Sequence, residues 1–257
     1  MPEVNGALGP APNPRERAKA TRLRITKAAY TLFCARGYAG TTMADIAREA
    51  GVAVQTVYFT FHTKGTVLSR AYDYAVLGED EPRPPQEQPW YAAMTAETDL
   101  TRALRAAVAG IGAILTRATP LDTVVRAGAG SDPETAKVRA VHETWRVQGY
   151  RAMLEILTAK APLRAGLTAE RATELLLMFA GMDIYRVLVL DFGWSQDEWV
   201  AWTVATLNTN ATNGARLRAR FGRMPMEPRW SRAGSPSCPP RVAAHPSPSG
   251  RPGPPQG

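Results

Sequence analysis

Cysteine and histidine are scarce in this 257-residue chain. The two cysteines, Cys34 and Cys238, lie far apart, and Cys238 falls in a proline-rich stretch. That excludes a disulfide framework and any cysteine-based metal spacing. The three histidines have no partner ligand at metal spacing, so no metal and no cofactor is expected. The N-terminus has no basic segment followed by an apolar run, so no secretory signal is expected. The apolar run Leu175 to Met182 is cut by Asp183, far short of the roughly 20 residues a membrane span needs. The expected setting is the cytoplasm, with no membrane partner. Strict apolar–polar alternation is also missing, which argues against strands.

Acidic residues are few at both ends. Residues 1–70 hold 10 Lys/Arg against 4 Asp/Glu, and residues 211–257 hold 8 against 1. The body between them holds 13 against 18. Basic blocks attract polyanions, of which nucleic acid is the commonest in a cell. Charge alone does not separate that reading from plain solvation.

Helical signals fill the rest. An amphipathic helix is expected from Thr21 to about Arg36, ended by Gly37. Two short helices follow, then a longer one over Lys64–Leu77. Residues 78–89 carry four prolines and four carboxylates and read as a loop. Leu100, Leu104, Val108, Ile111 and Leu115 form a helical stripe that Pro120 is expected to end. A short helix is expected from Leu121 to Ala127. Asp132-Pro133 starts another helix, Thr168 opens one running to about Phe192, and Ser195 to Glu198 is a capping box for the last. The expected fold is all-α with about nine helices, an N-terminal three-helix unit and then a C-terminal helical body. The expected boundaries are a disordered lead over 1–14, the N-terminal unit over 15–64, the body over 65–209, and a disordered basic tail over 210–257. Ten of the 21 prolines lie in residues 211–257, a composition too poor in apolar residues to offset the entropy of ordering.

The stretch TTMADIAREAGVAVQTVYFTFHTK carries the chemistry. Thr42 and Asp45 make a capping box, Gly51 a tight turn, and Ile46, Ala50, Val52 and Val57 a shared core. This is a helix-turn-helix pattern, which leaves the second helix free to enter a major groove. Val57 and Phe61 share the inner face of that helix. Val54, Gln55, Thr56, Phe59 and Thr60 fall on the other side and its edges. Gln pairs with adenine in a bidentate way, and Val, Thr and Phe meet a thymine methyl. Tyr58, Thr60 and Lys64 suit phosphate, as do the amides at the Thr42 helix start.

From Arg22 to Lys64, with the Gly37-Tyr38 helix end, the Thr41-Thr42 cap, the Gly51-Val52 turn and Val57-Tyr58-x-x-Phe61-x-x-Lys64, the sequence resembles the tetracycline-repressor (TetR) family. The resemblance covers about residues 17–70. It implies a homodimer with an N-terminal three-helix helix-turn-helix DNA-binding domain over 15–64 and a C-terminal helical ligand-binding and dimerisation domain over 65–209, hence a ligand-responsive repressor on a near-palindromic duplex. Two departures stand out. Ala53 occupies a position where the family often has a capping residue, and Phe59 stands for a common His or Tyr.

In the body, Trp90, Met94, Ile111, Trp145, Met153, Phe179 and Met182 are candidates to line a pocket for a small apolar or amphipathic ligand. Each taken singly is more simply a core residue. His142, three residues before Trp145, is most simply a solvated or satisfied side chain. Leu176, Ile184, Leu188, Trp199 and Trp202 are candidates for a dimer interface, because this region is apolar around most of its circumference. A rival reading is an architectural protein that coats DNA through its basic tail. An enzyme is the third, and no nucleophile–base pair or phosphate loop supports it.

Overall fold

The computed structural model describes residues 13–78 and 83–211; most of the expected N-terminal lead and nearly all of the expected basic tail lie outside the described residues. No strand occurs among the described residues. Helix α1 spans Pro14–Arg36, α2 Met43–Ala50, α3 Val54–Phe61 and α4 Lys64–Leu77. A 3-10 turn at Pro85–Glu87 leads to α5 (Pro89–Ala96), then α6 (Leu100–Gly128) and α7 (Pro133–Thr158). After these come α8 (Ala169–Phe179), α9 (Met182–Tyr185) running on into a π-helical stretch Arg186–Asp191, and α10 (Gln196–Ala211).

Helix α1 starts at Pro14, seven residues before the expected Thr21. Asn13 and Glu16 form a reciprocal capping box: the Glu16 amide donates to Asn13 Oδ1 at 2.9 Å, and the Asn13 amide to Glu16 Oε2 at 2.8 Å. Pro14 sits at the first helical position, where its missing N–H costs nothing.

Helix α6 does not end at Pro120. It continues to Gly128 with the proline inside it. Proline removes one backbone hydrogen bond and crowds the preceding turn. Here Ala118, Leu121 and Val125 are fully buried on either side of it. Each large apolar side chain buried this way contributes about 1.5–3 kcal/mol, enough to hold the helix through one lost bond. Helix α6 touches α1, α4, α5, α7, α9 and α10 and is the central element. Among the described residues it alone has the length and apolar character of a membrane span, which no single uninterrupted run had suggested. Of that apolar stretch, 56% is buried inside the chain, as in the core helix of a packed bundle.

The helix expected from Thr168 to Phe192 is broken at Ala180 and Gly181. The Tyr150 hydroxyl donates to the Ala180 carbonyl at 2.7 Å at the break. A Cβ on Gly181 would collide with the Leu177 carbonyl, so the chain passes here only with glycine.

Candidate nucleic-acid interface and ligand cavity

Helices α2 and α3 cross over a common core. The Thr42 amide and hydroxyl both donate to Asp45 Oδ2, at 3.1 and 2.6 Å, and the Asp45 amide donates back to Thr42 Oγ1 at 3.1 Å. Hydrogen bonds from the Thr42 hydroxyl and amide, together with the adjoining Arg48, bring the Asp45 carboxyl down to about 2. Gly51 turns the chain in the left-handed region at φ 63°. On α3, Val57 and Phe61 are buried, as the spacing requires, and the helix packs on α2 and α4. Gln55, Tyr58 and Phe59 face outward, and Phe59 is 84% exposed. Val54, Thr56 and Thr60 are half-buried at the edges. Ala53 leaves the start of α3 without a side-chain cap.

Three of the expected phosphate contacts look different once their partners are seen. Both donors of Thr42 are already taken by Asp45. The Thr60 hydroxyl donates to the Thr56 carbonyl at 2.7 Å. Lys64 Nζ donates to the carbonyls of Tyr38 at 3.0 Å and Thr41 at 3.2 Å, and sits 4.1 Å from the Tyr38 ring centre. It therefore clamps the α1–α2 loop to the start of α4.

Tyr38 joins this clamp to the body. Its hydroxyl donates to Glu134 Oε2 at 2.8 Å, and the same carboxylate oxygen accepts the Gly65 amide at 3.0 Å. Glu134 lies in the first turn of α7, 96 residues from Tyr38 and 69 from Gly65. A Cβ on Gly65 would come within 2.6 Å of Glu134 Cβ, so this close approach requires glycine. Sequence reasoning missed Glu134, and no local signal could have found it.

A cavity of about 570 Å³ opens between α4, α5, α6 and α7, within the size range of small-molecule sites. Of the expected lining, Trp90, Ile111, Trp145, Met153 and Met182 face it. Met94 does not line it: it is fully buried elsewhere in the core. Phe179 does not either, and its ring packs edge-on to Trp202. Tyr72, Tyr91, His142 and Arg146 complete much of the wall. His142 is not a solvated side chain: only 8% of it is exposed, and its ring stacks on Tyr72 at 4.0 Å. Burial pushes its pKa below the usual histidine value, against the pull of Asp73. The Tyr72 hydroxyl donates to Asp122 at 2.9 Å.

Two of the expected interface residues are enclosed by their own chain. Leu176 is buried, and Trp199 is fully buried with its ring edge-on to Tyr185. Ile184, Leu188 and Trp202 are half-buried, while Met178, Leu190 and Phe192 are exposed.

This arrangement defines a helix-turn-helix end joined to a helical body with an apolar cavity. Residues 25–71 match the family model described as bacterial regulatory proteins, tetR family. Over 59 residues the chain is 41% identical to the HTH-type transcriptional regulator TtgR of Pseudomonas putida, a match covering 23% of this chain and 28% of that protein. The aligned segment thus spans less than a third of that relative's length. Two solved structures share the fold over most of the described residues. NalD, the secondary repressor of the MexAB-OprM multidrug efflux pump in Pseudomonas aeruginosa, aligns at 20% identity and a TM-score of 0.60, covering 76% of this chain and 98% of that one. FadR of Bacillus subtilis, solved in complex with stearoyl-CoA, aligns at 16% identity and a TM-score of 0.57, covering 72% and 96%. The likeness in sequence to tetR-family bacterial regulatory proteins is thus carried by residues 25–71.

Proposed function

We propose that this protein is a homodimeric, cytoplasmic repressor that binds a near-palindromic duplex and responds to a small ligand. The outward face of α3 carries the reading, with Gln55, Tyr58 and Phe59 exposed together at the end of a helix-turn-helix. In this reading Gln55 meets a base edge, Phe59 and Val54 meet thymine methyls, and Tyr58 donates to phosphate. With Thr42, Thr60 and Lys64 engaged inside the chain, the free amides of Met43 and Ala44 at the start of α2 are the better phosphate donors. Exposed Met178, Leu190 and Phe192, with half-buried Ile184, Leu188 and Trp202, are the apolar surface available to a second copy.

Selection of bound duplexes from a random pool at near-physiological salt tests this. An enriched near-palindrome is expected, with half-sites about one helical turn (~34–36 Å) apart. Binding without sequence preference that disappears as salt rises would favour the basic-tail reading instead. On the selected site, Gln55→Ala is expected to cost about 1–3 kcal/mol and to relax preference at one position. An unchanged base preference would remove Gln55 from the reading face.

Ligand response follows from shared walls. Helices α4 and α7 both line the cavity and are joined at their N-termini by Glu134. A ligand shifts DNA affinity only by its differential affinity for the two arrangements of these helices.

A further inference from the structure

The chain passes from α3 to α4 through one strained residue. His62 holds φ 62° and ψ −56°, the only positive φ outside glycine among the described residues. The Thr63 amide donates to the Phe61 carbonyl at 2.7 Å across it, closing a three-residue γ-turn of the rare, strained form. Glycine takes such a backbone freely, and a residue with a Cβ takes it at a cost. Contacts within the chain do not offset that cost. His62 is exposed, and among the described residues its ring makes no hydrogen bond or ion pair. Strain of this kind points to a use for the side chain outside the turn.

The position places the ring at the reading end. The His62 amide donates to the Tyr58 carbonyl at 2.8 Å, so the residue follows directly on the last turn of α3. Four and three residues earlier stand Tyr58 and Phe59, both exposed. Residues so spaced share one side of a helix, and His62 closes the C-terminal end of that side. The charges around the turn are few. On α4, Lys64 is engaged with the carbonyls of Tyr38 and Thr41. On α7, Glu134 accepts from Tyr38 and Gly65, and Asp132 caps its own helix. On α2, Asp45 and Arg48 pair with each other, beside Glu49. Histidine gains and loses its charge between pH 5 and 8, and in acid it presents two N–H donors and a positive charge. That suits a phosphate oxygen.

We infer that His62 contacts a backbone phosphate of the duplex that α3 reads, and that this contact makes DNA affinity rise in mild acid. This rests on the DNA-binding reading above. The contact holds α3 in position and carries no sequence information. Pairing with phosphate favours the charged ring, so complex formation takes up a proton and tightens as pH falls.

The test uses the full chain with the duplex selected above and a scrambled duplex of the same length, at pH 6.0 and 8.0 over a range of salt. His62→Gly is expected to unfold at higher urea than the parent, because the strain is relieved, so any loss of DNA affinity is not a loss of fold. Between pH 8.0 and 6.0 the parent is expected to gain about five-fold in affinity for both duplexes relative to His62→Gly. At pH 6.0 the fall of log affinity with log salt should be steeper in the parent by about 1, and at pH 8.0 the two should agree. The other two histidines are common to both chains, so the difference belongs to residue 62. His62→Asn tolerates the left-handed backbone without a charge and should share the pH profile of His62→Gly. Identical pH profiles for the parent and His62→Gly overturn the inference. So does a lower urea midpoint in His62→Gly, which would make the ring a structural support, and so does a changed preference at one base position. A selected duplex bound with no effect of His62 on the pH profile removes this inference and leaves the repressor reading standing. No preferred duplex, with the His62 effect present on the scrambled one, does the reverse. Binding of neither duplex at either pH removes both.

Discussion

Glu134→Ala is expected to lower the unfolding free energy by about 1.5–3 kcal/mol at pH 7, the scale of hydrogen bonds to a charged acceptor. The carboxylate collects the Tyr38 hydroxyl and the Gly65 amide. Hydrogen bonds from the Thr63 hydroxyl, the Tyr38 hydroxyl and the Gly65 amide hold its pKa below the usual glutamate value. A depressed folded-state pKa contributes stability above the unfolded value of about 4.3, and that contribution is lost as pH falls through the folded value. Urea unfolding of the parent and Glu134→Ala should therefore differ fully at pH 7, with the gap starting to narrow as pH falls through about 4.3 and closing further below the depressed folded value. A gap that stays constant across this range would mean the loss came from packing alone. Tyr38→Phe keeps the ring that carries Lys64 and removes only the hydroxyl. Combined with Glu134→Ala it should show a coupling of 0.5 kcal/mol or more, as contacting residues do.

The second large effect comes from one added methyl. Gly110→Ala is expected to destabilise the protein by about 1–2 kcal/mol and to expel Trp90 from its seat. The new Cβ would overlap Trp90 Cδ2 and Cγ and lie 2.7 Å from Cε3, all in the rigid indole. Overpacking costs about 1–3 kcal/mol, and the gain in helix propensity offsets at most about 1. Gly149 is the control. It also lies in a helix and lines the cavity, but a Cβ there meets nothing within 4 Å. Gly149→Ala should stabilise the chain by about 0.5–1 kcal/mol. Thermal melts of both variants, with Trp emission as the local probe, decide the matter. Equal effects of the two substitutions would show that α5 shifts freely and that the Trp90 seat is not rigid.

Local chemistry was legible and long-range meeting was not. The Thr42–Asp45 and Ser195–Glu198 boxes and the Gly51 turn are written within four residues of themselves and appear as expected. The start of α1 is hidden in the sequence because its cap, Asn13-Pro14, falls at the edge of a proline-rich lead. The far half of α6 is hidden because Pro120 signals a helix end, and the burial that carries the helix past it comes only with the fold. Lys64 was expected to be free for phosphate, and its two carbonyl partners lie 26 and 23 residues back. Trp199 and Leu176 were expected at a subunit boundary because an apolar circumference looks the same whether a sister helix or a second chain covers it.

The unbroken course of α6 constrains how the body can change shape. At 1.5 Å per residue its 29 residues make a beam of roughly 43 Å. Helices on several sides brace it. A guest that needs more room therefore pushes against a fixed keel, and the displacement falls on the planks bolted to it, α4, α5 and α7. The clamp at Lys64 begins one of those planks, so a displaced α4 would carry the carbonyls of Tyr38 and Thr41, and with them the loop before α2.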